Sequence, residues 1–226
     1  MSDTEITAVK TFVTQPSAPR NRLVIVRVET SQPGLYGLGC ATYTQRWRAV
    51  VAALEHHIGP RVTGRNPAQI EDLWHTMMLS GYWRNGPVLN NAVSGIDMAL
   101  WDIKGKQAGM PCYELWGGKC RPGAVCYTHA NGAEIEELLD SIHAKVEAGY
   151  RHVRCQLGGY SGRKAGESSR EFPGIYYDPA EKVRRTVQMF EAVRVEFGDE
   201  LEVLHDVHER LGPMDTIRLA KALEPY

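Results

Sequence analysis

His152-Val153-Arg154-Cys155-Gln156-Leu157, a helix-forming run from Pro179 to Phe197 closed by Gly198, and then Leu201-Glu202-Val203-Leu204-His205-Asp206-Val207-His208 make up the stretch whose reading decides the fold. Each flanking run is short, and successive side chains of a strand point to opposite faces. His152, Arg154 and Gln156 then share one face of the first run; Leu204, Asp206 and His208 share one face of the second. The run between them has Pro at its first helical position and Gly just past its last, the expected punctuation of a helix. Strand, helix and strand in that order predict parallel strands joined by a crossover. The same grammar extends both ways. Ala124 to His129 reads as a strand and Ala133 to Ala148 as a helix ended by Gly149, while Pro213 to Leu223 reads as a further helix. Three strand–helix units in a row argue for a parallel sheet with helices outside it.

Before Gly117-Gly118 the pattern differs. Ile6 to Thr14 and Leu23 to Glu29 read as strands, with Val24, Val26 and Val28 on one face and Pro16 and Pro19 in the turn between. Gly34, Gly37 and Gly39 make the next segment a short Gly-rich strand and loop. Helices follow at Arg46 to His57, from Asn66-Pro67 through Met78, and at Asn90 to Gln107, where Val93, Ile96, Leu100 and Ile103 share a face. The expected organisation is an α+β unit over residues 1–120 and a second unit over 121–226. A parallel sheet needs both faces covered, and an eight-unit barrel takes about 250 residues. Three units are therefore expected to be the first part of an incomplete (β/α)8 barrel of the TIM type, in a truncated chain. A small, complete three-layer α/β domain is the alternative.

Composition excludes several classes. Lys+Arg total 26 against 27 Asp+Glu, a net charge of -1, so no basic footprint for nucleic acid exists. No apolar run approaches the roughly 20 residues that span a bilayer, and the N-terminus has no leader pattern. Five scattered cysteines without a CxxC pair fit reduced thiols in a cytoplasmic protein.

The chemistry is expected where polar side chains gather at strand ends. Asp206 is a hard-oxygen ligand suited to Mg²⁺, and His208 is suited to proton transfer near neutral pH. A structural Asp–His pair capping the next helix is the bland alternative. Arg154 has the fork geometry to clamp a carboxylate or to close a salt bridge inside the sheet. His129, at the expected end of its strand, is a ligand candidate or a satisfied core histidine. The long segment from Gly158 to Tyr177 reads as a lid, an oligomer contact or a solvated excursion.

The run Gly86-Pro87-Val88-Leu89 through Gly95-Ile96-Asp97 and Ala99-Leu100-Trp101-Asp102-Ile103-Lys104-Gly105-Lys106 resembles the last helix of the enolase-superfamily capping domain. Tyr127-Thr128-His129-Ala130-Asn131-Gly132, Arg154-x-Gln156 and His205-Asp206-Val207-His208-Glu209-Arg210 resemble the mannonate dehydratase and starvation-sensing group of that superfamily. The resemblance covers the whole chain. It implies an α+β capping domain on a modified (β/α)8 barrel, with Mg²⁺ bound, a proton abstracted beside a carboxylate and the enediolate stabilised on the metal. It further implies Asp206 as the first of three acidic metal ligands and His208 as acid/base. It makes Arg154 the partner of a lid tyrosine, for which Tyr160 is the candidate. His129 and Gln156 become substrate-binding, as does Thr44, which stands where active members place an Asn. The other two carboxylates belong to fourth and fifth strands that no stretch here supplies.

The expected function is a Mg²⁺-dependent hydro-lyase acting on a mannonate- or gluconate-type sugar acid, homo-oligomeric when complete. A truncated, inactive or regulatory relative is the alternative.

Overall fold

Val24, Val26 and Val28 are fully buried, on the face that their alternation predicts. They lie on strand β2 (Leu23–Thr30), the middle strand of an antiparallel sheet with β1 (Ile6–Thr14) and β3 (Tyr36–Cys40) at its edges. Burying each valine contributes roughly 1.5–3 kcal/mol. The computed structural model describes residues 4–16, 22–158 and 178–226. The chain divides into two units, Met1–Pro122 and Gly123–Tyr226.

In the first unit the helices are α1 (Trp47–Ala53), α2 (Gly59–Val62), α3 (Ile70–Met78), α4 (Gly86–Ala108) and α5 (Cys112–Leu115). The helix expected from Arg46 to His57 starts at Trp47, widens into a π turn at Leu54–Ile58 and continues as α2. The helix expected from Asn66 begins later, at Ile70. The Asn66 side chain instead accepts from the Ala68 N–H at 2.9 Å, closing a local turn ahead of the helix. Helix α4 is longer than its apolar stripe. Pro87 sits in its first turn, and Gly109 ends it in the left-handed region at φ 65°. Val93, Ile96, Leu100 and Ile103 are all buried in one core with the β2 valines.

Strand β3 lies directly on α4. A methyl group placed on Gly37 would stand 1.9 Å from the Ala99 carbonyl oxygen, and one on Gly39 1.9 Å from that of Gly95. These glycines let two backbones meet. The Asp102 carboxylate of α4 accepts the Leu38 N–H at 2.8 Å, and Lys106 donates to the Tyr36 carbonyl at 2.7 Å. Polar groups of the helix thus satisfy backbone groups of the edge strand.

Burial raises the Asp97 carboxyl on α4 above the ordinary aspartate range, and the neighbouring Glu71 charge adds to this. Such a group holds its proton more tightly folded than unfolded. Between the two pKa values the unfolded chain binds fewer protons, so stability is lost as pH rises from about 4 upward. Asp97→Asn is therefore expected to raise the thermal midpoint at pH 7, with the gain fading toward pH 4. Equal gains at both pH values would show that ionisation is not the cause.

In the second unit β4 (Thr128–Gly132), β5 (His152–Leu157) and β6 (Glu202–Leu204) form a parallel sheet in that order. Helices α6 (Ile135–Glu147), α7 (Pro179–Phe197) and α8 (Pro213–Leu223) alternate with them. Val153, Cys155 and Leu157 pack with Met189, Phe190 and Val193 of α7 and with Leu138 and Ile142 of α6. Burial pushes the Cys155 thiol up to about 12, which leaves it inert. Asp178 caps α7 by accepting from the Ala180 and Glu181 N–H groups, ahead of Pro179.

Two strands differ from expectation. The first runs from Thr128 to Gly132 and not from Ala124 to His129, so His129 sits near its start. The last stops at Leu204 and does not reach His208. Among the described residues no helix is long and apolar enough to cross a membrane.

Candidate active site

Register places His129 of β4 opposite Arg154 of β5, and Arg154 opposite Leu204 of β6. Since Val153 and Cys155 face the helix-covered core, Arg154 projects from the opposite face of the sheet. Its guanidinium bridges the other two strands. Nη1 donates to Asp206 Oδ2 at 3.0 Å, and Nη2 donates to His129 Nδ1 at 3.4 Å. A guanidinium only donates, so His129 Nδ1 is the acceptor and the ring proton lies on Nε2.

Asp206 sits just beyond β6. Its Oδ1 accepts the His208 N–H at 2.9 Å. This local bond replaces ladder pairing and ends the strand early. It turns the chain at His208, whose φ of 51° lies in the left-handed region that His and Asn tolerate better than most residues. The turn brings His208 Nδ1 to 3.1 Å from Asp206 Oδ1 and 3.3 Å from the Asp206 carbonyl oxygen. Both oxygens accept when the carboxyl is ionised, so Nδ1 carries a proton in this contact.

The His208 N–H bond is the main cause holding the Asp206 carboxyl below the usual aspartate range. Burial opposes it, and the charges of His208, Arg154 and His205 assist. Beside the cluster, His205 turns to the helix side, where its Nδ1 stands 2.9 Å from the Cys155 carbonyl oxygen and Phe190 meets its ring edge-on. Burial pushes the His205 imidazole down, against the effect of that hydrogen bond.

Tyr127, Arg154, Asp206 and His208 line an open pocket of about 400 Å³. Four of the expected residues are therefore linked in one chain of contacts: His129, Arg154, Asp206 and His208. It runs across the sheet, not along a rim of strand ends, because His129 is the second residue of β4 and Arg154 lies within β5. Gln156 is buried, its Oε1 lacks a hydrogen-bond partner among the described residues, and it does not line this pocket. Thr44 belongs to the first unit and donates its hydroxyl to Gln45 Oε1 at 2.9 Å. Tyr160 and residues 159–177 of the expected lid lie outside the described residues.

Sequence reasoning passes over two residues here. Tyr127 stacks on His129 at 5.6 Å between ring centroids. It stands two positions before His129, a same-face spacing that the sequence does display. Alternation puts His205 on the apolar face and gives it no role.

Asp206 supplies one hard oxygen donor of the kind Mg²⁺ takes, with its side chain 41% exposed. Among the described residues no group of three or more His, Cys, Asp or Glu stands close enough to hold a metal ion. The residues present fit one corner of a Mg²⁺ shell.

Residues 4–117 match the family model of the mandelate racemase / muconate lactonizing enzyme N-terminal domain. The whole chain is 49% identical to a D-galactonate dehydratase family member, RspA, of Pantoea ananatis, over 58% of that protein's length. It is 51% identical to a D-galactonate dehydratase family member of Enterocloster bolteae, over 57% of its length. A crystal structure of an enolase from Pantoea ananatis, with bound D-gluconate and Mg, superposes with a TM-score of 0.87 at 49% identity. That match covers 99% of this chain and 58% of the other. The chain thus spans somewhat under three fifths of these relatives.

Proposed function

This chain belongs to the mandelate racemase / muconate lactonizing enzyme family of the enolase superfamily, and from that membership we propose that it carries the first part of a Mg²⁺-dependent acid-sugar dehydratase. Residues 1–120 are then the capping domain, and 121–226 the first three βα units of a (β/α)8 barrel. The substrate is a sugar acid of the gluconate or mannonate type. The observation that carries this reading is the linked set His129, Arg154, Asp206 and His208 on one face of a parallel sheet. A relative 49% identical over the same span holds D-gluconate and Mg in its crystal structure.

Asp206 would hold Mg²⁺ together with carboxylates from sequence equivalent to the rest of its relatives. The ion would supply positive charge against the substrate carboxylate, easing loss of the neighbouring proton. The remaining roles fall to this chain. Arg154 places a fixed cation, and His129 an Nε2–H donor, beside an anionic substrate. His208, with its Nδ1–H held by Asp206, offers Nε2 to move a proton. Tyr160 is assigned the opposite proton step. One group removes the proton next to the carboxylate and the other protonates the neighbouring hydroxyl, which leaves as water. The enol that remains becomes a 2-keto-3-deoxy acid.

The test joins this chain to the remaining length of its relatives and supplies Mg²⁺ with gluconate, mannonate and galactonate in turn. The expected result is a 2-keto-3-deoxy acid from at least one of them, abolished by chelation. A folded, Mg²⁺-binding protein that dehydrates no sugar acid would sink the proposal.

A further inference from the structure

The backbone pairing of β6 with β5 ends at Arg154 and Leu204, one residue before His205 and two before Asp206. Beyond that point the next partner on β5 is Cys155. Its carbonyl oxygen stands 2.9 Å from His205 Nδ1. A carbonyl only accepts, so His205 Nδ1–H donates. The side chain thus makes the cross-strand contact just where the backbone ladder stops.

The ring is wedged in place. Phe190 of α7 meets it at 89° with centroids 6.1 Å apart, and its Nε2 is buried. Adjacent side chains in an extended segment point to opposite faces. Pinning residue 205 into the helix layer therefore turns residue 206 to the other face, where Arg154 lies 3.0 Å from the Asp206 carboxylate.

We infer that His205 is a positioning residue: its hydrogen bond to the Cys155 carbonyl replaces the missing rung of the ladder and fixes the direction in which Asp206 leaves the sheet. His205 lines the same pocket as Arg154, Asp206 and His208 but is given no step in the reaction, and it acts through Asp206 and the turn that Asp206 makes with the His208 N–H. That role belongs to the geometry of the segment and stands whether or not the dehydratase reading holds.

Hydrogen exchange at the His208 amide reads the state of the turn directly. His205→Phe keeps an aromatic ring against Phe190 but removes the donor. His205→Asn keeps an N–H near the Nδ1 position. Val193→Ala, in the same core, serves as a destabilised control. Protection of the His208 amide is expected to fall about ten-fold in His205→Phe, the scale of one hydrogen bond. Amides within α7 should keep their protection. His205→Asn should retain the His208 value to within about three-fold, and Val193→Ala should not single out this amide. Should His205→Phe fail to fold, His205→Asn together with His205→Leu carries the same comparison. Unchanged protection in a folded variant lacking the donor would overturn the inference. So would a loss equally large in His205→Asn, or one matched by Val193→Ala.

Discussion

Gly39→Val is expected to unfold the first unit at moderate temperature. The cause is space, not torsion. Any Cβ at Gly39 would stand 1.9 Å from the Gly95 carbonyl oxygen and 3.1 Å from the Ala99 nitrogen. Both neighbours are backbone of α4, pinned by the buried side chains of Val93, Ile96 and Leu100. The helix has no soft direction in which to yield, because a methyl on Gly95 would itself meet Ala41 Cβ at 2.7 Å and Val26 Cγ2 at 2.8 Å. Separating strand from helix by even an ångström would also break the Asp102 bond to the Leu38 N–H. The expected cost is about 3–5 kcal/mol, at the upper end of single substitutions and a large share of a domain's total stability. On a unit of this size that lowers the thermal midpoint by about 10–20 °C, seen by circular dichroism. Gly34→Ala supplies the contrast. Gly34 has φ 78° and open space around its missing Cβ, so only backbone strain of about 1 kcal/mol is at stake. If the two variants melt alike, the close approach of β3 and α4 is not what holds the unit together.

The same glycines mark where the sequence is legible and where it is not. The alternation of Val24, Val26 and Val28 and the 3.6-residue stripe of α4 are local periodicities, so they can be read without knowing what packs on what. Helix α7, with Pro179 at its first position and Gly198 after its last, is equally plain. Gly37 and Gly39 read as breakers, since composition cannot distinguish a glycine that bends a chain from one that admits a neighbour. At the site, alternation correctly puts Arg154 apart from Val153 and Cys155. It also puts His205 and Asp206 on opposite faces, but it carries the strand on to His208, whereas the strand stops at Leu204 and the Asp206 side chain captures the His208 N–H. Periodicity carries no term for a side chain that competes with the ladder. The contact of His205 with the Cys155 carbonyl spans 50 positions and leaves no local trace at all.

Substitutions in the linked set should separate metal holding from proton transfer once the chain is joined to the rest of its relatives' length. Asn suits position 208, since it tolerates the left-handed backbone at φ 51° and keeps the N–H that Asp206 accepts. His208→Asn therefore removes the imidazole and little else. Dehydration of the sugar acid is expected to fall by about 10²–10⁴, the usual worth of a general acid or base. Mg²⁺ affinity, followed by calorimetry, should stay within a few-fold. Asp206→Asn should differ in kind. It removes the negative charge that Mg²⁺ and Arg154 both need and leaves one neutral acceptor oxygen where two charged ones serve Arg154 and His208, so both metal affinity and turnover should collapse. Arg154→Lys keeps a cation without the fork that reaches Asp206 and His129 together, so it should lower turnover while metal binding persists. The pattern across the three variants is more diagnostic than any one of them. A structural Asp–Arg–His network would lose stability in each case, with metal and activity falling in proportion. A catalytic set loses activity at His208 with stability and metal binding intact. Full activity in His208→Asn on every sugar acid turned over would remove His208 from the chemistry and leave proton transfer to groups outside this cluster.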